Sequence, residues 1–206
     1  MGGDGCIRKS GEHGIATLRL GGAEQALARA VNERLTAFRH HVAEDGRQAR
    51  DNEVRQVEVD GQVASLRLNT SSAPVLGVLD RFALLDEGSG GKAFTDAVFG
   101  LDRVSLAATL RGLFTADGCV ANYGKKSQYV ALDSTSLTLL QQTQLLLLGF
   151  GIRSKIYRNR RVAGQTTALF PDGKGGRKEY PVQQIHSLRI SKHSRVVFEE
   201  TIGFAS

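Results

Sequence analysis

The chain has 206 residues, 41% of them apolar, with 27 Lys and Arg against 21 Asp and Glu and only two cysteines. That length holds one full core or two small halves of about 100 residues each, and no apolar run approaches the roughly 18 residues of a membrane span. The first residues show no charged-then-apolar signal, so the cytoplasm is the expected compartment.

The net charge of +6 is unevenly spread: residues 1–102 hold 12 basic and 15 acidic side chains, residues 103–206 hold 15 and 6. Between Arg153 and Arg195 eleven Lys and Arg stand against Asp172 and Glu179 alone. Such a density suits a polyanionic partner or a solvated basic face.

In chain order, Cys6–Lys9 and Ile15–Leu20 alternate as two strands about the loop Ser10-Gly11-Glu12-His13-Gly14. A helix is expected from Ala23 to His40, with Leu27, Val31, Leu35 and Phe38 along one side. The His40-His41 pair at its end suits a helix C-terminus better than a metal. Val54–Val59 and Val63–Leu68 form a second hairpin about Asp60-Gly61, Val75–Leu85 reads as a short helix, and Gly88-Ser89-Gly90-Gly91 loosens the chain before Lys92–Leu101. From Gly118 the order recurs: strand Cys119–Tyr123, the turn Gly124-Lys125-Lys126, strand Gln128–Leu132 and a helix over Ser136–Leu148. Strand Ile152–Arg158, a long basic loop to Pro181, strand Gln184–Ser191 and helix Ser194–Ile202 complete it. Duplication is written in short identities, since Ser65-Leu66-Arg67-Leu68 and Ser187-Leu188-Arg189-Ile190 fall at matching places. Cys6 and Cys119 each follow an Asp-Gly pair and read as small buried strand residues rather than a disulfide or metal pair.

Between the halves, Leu106–Val120 is an apolar helix that ends on an acid and a glycine. Ala108, Gly112 and Ala116 lie four apart and leave one face nearly bare, so a second backbone could approach it closely. Leu106, Leu110, Leu113 and Phe114 fill the other flank. Asp102 is a good N-cap and Gly118 suits a left-handed C-cap, which makes Asp117 the last helical residue. An acid there meets the negative end of the helix dipole, at a cost of roughly 0.3–1 kcal/mol that a bound cation would remove. Asp-Gly also makes an ordinary turn, yet Asp4-Gly5-Cys6-Ile7 repeats Asp117-Gly118-Cys119-Val120 almost residue for residue.

Leu110-Arg111-Gly112-Leu113-Phe114-Thr115-Ala116-Asp117-Gly118 resembles the signature of the LAGLIDADG, or dodecapeptide (DOD-type), homing endonucleases in their intein-encoded form. The first copy matches only at its Asp-Gly end. Gly91-Lys92 before Ala97-Val98-Phe99, the segment from Ser134-Thr135-Ser136-Leu137 to Phe150-Gly151-Ile152-Arg153-Ser154, and Leu188-Arg189-Ile190-Ser191 with Ile202-Gly203-Phe204 follow the same pattern. The resemblance covers nearly the whole chain. It implies an α+β fold, the LAGLIDADG homing-endonuclease fold of two pseudo-symmetric αββαββα halves, with residues 1–101 the first half and its linker and 102–206 the second. Met1-Gly2-Gly3 stands where the first motif helix would be, so the chain reads as truncated at both ends, and neither splicing terminus is recognisable.

The implied activity is a site-specific, metal-dependent double-strand break in DNA. Two carboxylates that share divalent metal ions would supply the nucleophile and steady the phosphate. The resemblance assigns them to Asp4 and Asp117, with Gly3 and Ala116 completing the metal site, and the oxygen ligands favour Mg²⁺ with Mn²⁺ as a substitute. Lys92 matches a catalytic lysine of the family, with Thr95 in place of the proline three residues on. Paired strands that enter the major groove as β-ribbons would place Asn122, Tyr123, Lys125, Lys126, Gln128, Arg153, Lys155, Arg158, Arg160, Arg161 and Arg189 against DNA. Lys and Arg would chiefly hold phosphate, whereas Asn and Gln could read adenine edges. The expected partners are double-stranded DNA, the host protein around an intein, and a second copy through the bare helix, with no membrane. The alternative readings are a catalytically inactive DNA-binding or maturase-like remnant, and an unrelated α/β enzyme whose Asp-Gly pairs are turns.

Overall fold

The computed structural model describes residues 5–10, 13–41, 54–59, 61–84, 88–124, 127–171 and 176–205. The chain divides into two compact units, one of Met1–Asp86, Phe94–Asp102 and Phe204–Ser206, the other of Glu87–Ala93 and Arg103–Gly203. The architecture is α+β, and each unit carries a four-stranded antiparallel sheet with helices packed on it.

In the first unit, β1 (Gly5–Ser10), β2 (His13–Gly21), β3 (Val54–Val59) and β4 (Gln62–Thr70) lie in the order β1-β2-β4-β3. Alternation decides the faces. Leu18 pairs with Leu68 and Leu20 with Leu66, and Leu66 and Leu68 are buried. Helices α1 (Gln25–His41) and α2 (Ala73–Phe82) pack on this sheet and on each other. The core is built largely of small side chains: Ala16, Ala28, Val75 and Val98 are buried with the two leucines, while Leu27, Val31, Leu35 and Phe38 are only half-buried. The entry to α1 is tight, because a Cβ on Gly22 would lie 1.7 Å from the Val63 carbonyl oxygen. Glu24 accepts a hydrogen bond from the Gly21 N–H at 2.6 Å just before the helix begins. A 3₁₀ turn, Asp96–Gly100, closes the unit on the fully buried Val98.

In the second unit, α3 (Arg103–Asp117) starts directly after Asp102 and buries Leu110, Leu113 and Phe114. Then follow β5 (Gly118–Asn122), β6 (Gln128–Ser134), α4 (Leu137–Leu148), β7 (Lys155–Tyr157), β8 (Thr167–Pro171), β9 (Arg177–Pro181), β10 (His186–Ser191) and α5 (His193–Thr201). The sheet order β5-β6-β10-β7 repeats that of the first unit, with α4 and α5 in the places of α1 and α2. Val130, Leu132, Leu188 and Ile190 are fully buried where α3, α4 and α5 cover the sheet. Phe114 and Phe198 lock α3 to α5 edge to face, ring centroids 4.7 Å apart, an arrangement worth about 0.5–1.5 kcal/mol beyond its area.

Four expectations are corrected. Gly118 is not a left-handed cap: it is absent from the glycines with positive φ and is the first residue of β5. What it supplies is room, since a Cβ there would sit 2.2 Å from the Phe114 carbonyl oxygen. Cys119 is exposed rather than buried, because β5 lies at the sheet edge, and the Cys6 side chain lies outside the described residues. The basic loop to Pro181 contains the hairpin β8–β9, a separate two-stranded sheet. The strand expected over Ile152–Arg158 is regular for only three residues. Among the described residues no helix is long and apolar enough to cross a membrane.

Candidate active site and nucleic-acid interface

Three devices fix α3 along its length, from its first residue to its last. Arg103 donates to the Gly149 carbonyl at 3.0 Å while its guanidinium lies 4.5 Å from the Phe150 ring centroid. Arg111 donates from Nε to the Ile202 carbonyl, which ties the helix to the end of α5. These two cations of the basic half therefore serve α3's packing. Finally, β5 follows the helix without an intervening residue, so Gly118 is already paired with Leu132 in the ladder. Asp117, half-buried, ends a last turn that holds no basic residue. Ala108, Gly112 and Ala116 are exposed, and a Cβ on Gly112 would meet nothing within 4 Å.

The Asp117 carboxylate and the Ala116 carbonyl are hard oxygen donors, which fit Mg²⁺ or Mn²⁺ rather than a soft metal. Asp4 and Gly3 lie outside the described residues. Among the described residues no group of three or more His, Cys, Asp or Glu gathers.

Lys92 is half-buried, and its main chain is pinned at the start of α4. Ser136, fully buried, donates its hydroxyl to the Lys92 carbonyl and accepts from the Leu139 N–H at 3.2 Å as the N-cap of α4. One side chain thus positions both the lysine backbone and a helix. Thr95 also has a reason to stand in place of proline: its N–H donates to the Phe82 carbonyl at 3.1 Å, a bond proline cannot make.

The sheet face away from the helices carries the cations. Arg189 on β10 sits opposite Lys155 on β7. Its guanidinium lies between two rings, 4.5 Å from the Tyr129 centroid and 4.8 Å from that of Tyr157, and Nε donates to Ser187 Oγ at 3.4 Å. Lys155 Nζ lies 5.1 Å from the Tyr157 ring. Tyr123 is 65% exposed with its ring 6.4 Å from Tyr129, so an aromatic surface continues toward the β5–β6 turn. Asn122 Oδ1 accepts from the Gly124 N–H at 3.0 Å and shapes that turn, opposite the exposed Gln128. Lys125 and Lys126 lie outside the described residues.

Beyond β7, Arg158 and Arg160 are exposed, and the Arg160 N–H bonds the Ile185 carbonyl at 2.8 Å. Arg161 turns back on the segment before β10, donating to the Gln183 carbonyl at 2.9 Å. Arg153, exposed, sits before β7 with its N–H on Ser194 Oγ at 3.1 Å. The structure therefore gathers Arg189 and Lys155 into one cluster and strings the other arginines along the strand ends. Tyr129 and Tyr157, which hold that cluster, were missed from the sequence. Their only signal was parity, each falling on the strand positions that face Arg189.

Residues 105–203 match the family model of the LAGLIDADG-like domain. The chain is 35% identical over 133 residues to the ribonucleoside-diphosphate reductase NrdEB subunit alpha of Bacillus subtilis (strain 168) and to its counterpart in Bacillus phage SPbeta, matches that cover 64% of this chain and 12% of theirs. The ribonucleoside-diphosphate reductase large subunit of Invertebrate iridescent virus 6 is 38% identical over 82 residues, 40% of this chain and 8% of that one. The chain therefore spans 12% or less of the length of these relatives. A structure of mesophilic variants of the homing endonuclease I-DmoI aligns with 99% of this chain and 90% of its own, with a TM-score of 0.57 at 14% identity. I-DmoI in complex with DNA and Ca aligns with 96% of this chain and 81% of its own, with a TM-score of 0.57 at 12% identity. The fold of the chain is that of the homing endonuclease I-DmoI, and residues 105–203 are similar to the LAGLIDADG-like domain.

Proposed function

We propose that the chain is the endonuclease region of an intein and makes a site-specific double-strand break in DNA with Mg²⁺ or Mn²⁺. The observation that carries this reading is α3, a helix with a bare exposed face whose terminal acid joins, without slack, a sheet with a cationic open face. Substituted variants of I-DmoI have been crystallised with their target DNA in the presence of Mg or Mn, and the oxygen donors of Asp117 and Ala116 suit the same ions. The ribonucleotide reductase relatives support an inserted segment, since only 12% of their length is matched. The host is then a reductase subunit and the target its uninterrupted gene.

In this reading residues 1–101 and 102–206 are the two halves, Asp4 and Asp117 hold the metal with Gly3 and Ala116, and Lys92 acts beside them. When bound, the metal would make water nucleophilic near neutral pH and stabilise charge on the phosphate. Arg189 and Lys155 orient the duplex, with Arg153, Arg158, Arg160 and Arg161 along its phosphates. The bare face of α3 can also receive a second helix, from a longer chain or a second copy.

A supercoiled plasmid that bears the uninterrupted reductase site, incubated with Mg²⁺, should be linearised by the wild-type protein and spared by Asp117→Asn. Equal cutting by both proteins would show that Asp117 has another role. Binding without cutting in either Mg²⁺ or Mn²⁺ would make the chain the inactive DNA-binding remnant.

A further inference from the structure

Lys92 follows the run Gly88-Ser89-Gly90-Gly91, whose residues are all exposed. Glycine loses more conformational freedom on ordering than any other residue, and most of this run brings no side chain to anchor the lysine. The segment Glu87–Ala93 nevertheless belongs to the second unit, although the next stretch of chain, Phe94–Asp102, belongs to the first. Lys92 is thus carried by the unit that holds Asp117.

Two side chains of that unit close on the segment from positions far along the chain. Ser136 holds the downstream end: its buried hydroxyl donates to the Lys92 carbonyl and accepts the Leu139 N–H, while the Ser136 N–H donates to Ser134 Oγ at 3.1 Å. Ala93, the next residue, is buried. Gln183 meets the upstream end. A Cβ on Gly90 would lie 2.6 Å from Gln183 Oε1, so the carboxamide occupies the place a side chain would take. Gly90 is absent from the glycines with positive φ, and what it allows is close approach rather than an unusual backbone.

Gln183 is exposed, yet its main chain is held. Its carbonyl accepts from Arg161 Nε at 2.9 Å, and the preceding Val182 N–H donates to the Thr166 carbonyl at 2.8 Å. Gln184 bridges the same neck of the β8–β9 hairpin, accepting from the Arg161 N–H at 3.2 Å and donating to the Val162 carbonyl at 3.4 Å. A fixed backbone aims the Gln183 carboxamide at Gly90.

We propose that Gln183 and Ser136 are positioning residues for Lys92: they clamp the glycine-rich segment on either side, so that the second unit places a lysine that precedes it in the chain. What the lysine then does rests on the endonuclease reading; the clamp stands on the geometry alone.

Two readouts test this on the full chain. Trypsin cuts the Lys92–Ala93 bond only when the segment opens, because Ala93 is buried and the carbonyl under attack is bonded to Ser136. In the DNA-free protein this cut, followed by mass spectrometry, should appear about tenfold faster in Gln183→Ala, Gly90→Ala and Ser136→Ala than in the wild type, the factor expected for one lost contact. The cut after the exposed Arg34 of α1 should keep its rate. Single-turnover cutting of the target plasmid in Mg²⁺ should slow about tenfold in Gln183→Ala with duplex affinity unchanged. That slowing should vanish from the residual cutting of a Lys92→Met background, where no lysine is left to place. Ser136→Ala also removes the cap of α4, so where it fails to fold the exposed Gln183 decides the matter. An unchanged cut after Lys92 in Gln183→Ala overturns the clamp. Equal slowing with and without the lysine, or lost duplex affinity, overturns the positioning role. A wild type that cuts no DNA in Mg²⁺ or Mn²⁺ ends the endonuclease reading and the lysine's part in it, while the trypsin cut still decides whether the clamp exists.

Discussion

Gly118 shows how a residue can be expected for one reason and required for another. Glycine after a helical acid suggests a left-handed cap, but the structure places it in extended backbone, where the absent Cβ lets the strand leave past the Phe114 carbonyl. Sequence cannot separate freedom of φ from lack of space, since both are written as glycine. Gly118→Ala must push the strand off the helix end, an overpacking that costs about 2 kcal/mol and lowers the thermal midpoint by about 4–8 °C. Because Asp117 is displaced with it, cleavage of the plasmid should fall further than the folded fraction measured under the same conditions. Cys119 carries a similar lesson. Strand propensity placed it, but a strand's position in the sheet decides burial, and β5 is an edge strand. Arg103 and Arg111 belong here too, as cations counted toward a polyanion that the structure spends on carbonyls at helix ends.

The elements with strong periodicity were legible in the sequence. α3 ends at the expected acid, and α4 begins after Ser136, where a hydroxyl followed by Leu137-Thr138-Leu139 marks an N-cap. The hairpin β8–β9 was not legible, although Thr167, Phe170 and Tyr180 are strand formers on either side of the Asp172-Gly173 pair. The density of charge around it read as loop. It also lacks the usual reward for a strand: no described residue between 158 and 185 is buried, and its two aromatic rings, Phe170 and Tyr180, meet edge to face 6.3 Å apart and stay exposed. A lone two-stranded sheet is marginal in water. Replacing residues 166–182 with an Asn-Gly turn should therefore leave the thermal midpoint of the protein within about 2 °C of wild type, as judged by circular dichroism. A larger drop would mean that the hairpin supports the core.

Across the whole molecule, duplication was the most legible feature. Two tetrapeptides sharing Ser-Leu-Arg landed on the inner strands of two sheets with the same strand order. What could not be read was register, because the partner of Arg67 or Arg189 depends on strands that lie far away in sequence. For that reason charge totals misled: the acidic half sets Arg19, Arg67 and Arg55 opposite one another in its sheet, and the basic half devotes part of its surplus to packing. If the reading of a DNA surface holds, six to ten phosphate contacts imply that affinity for a nonspecific duplex falls about 10³–10⁵-fold between 50 and 200 mM salt, measurable by fluorescence anisotropy. A shallow dependence would reduce the basic strip to solvation.

The junction at residues 117 and 118 carries a constraint of another kind. Helix and ladder share no spacer there, and side chains along β5 alternate between the two faces. One inserted residue would turn every later side chain of that strand over. Substitution can thus retune what the strand touches as lineages diverge, whereas insertion or deletion at this hinge cannot be absorbed, and the interval from acid to sheet behaves as a ruler of fixed length.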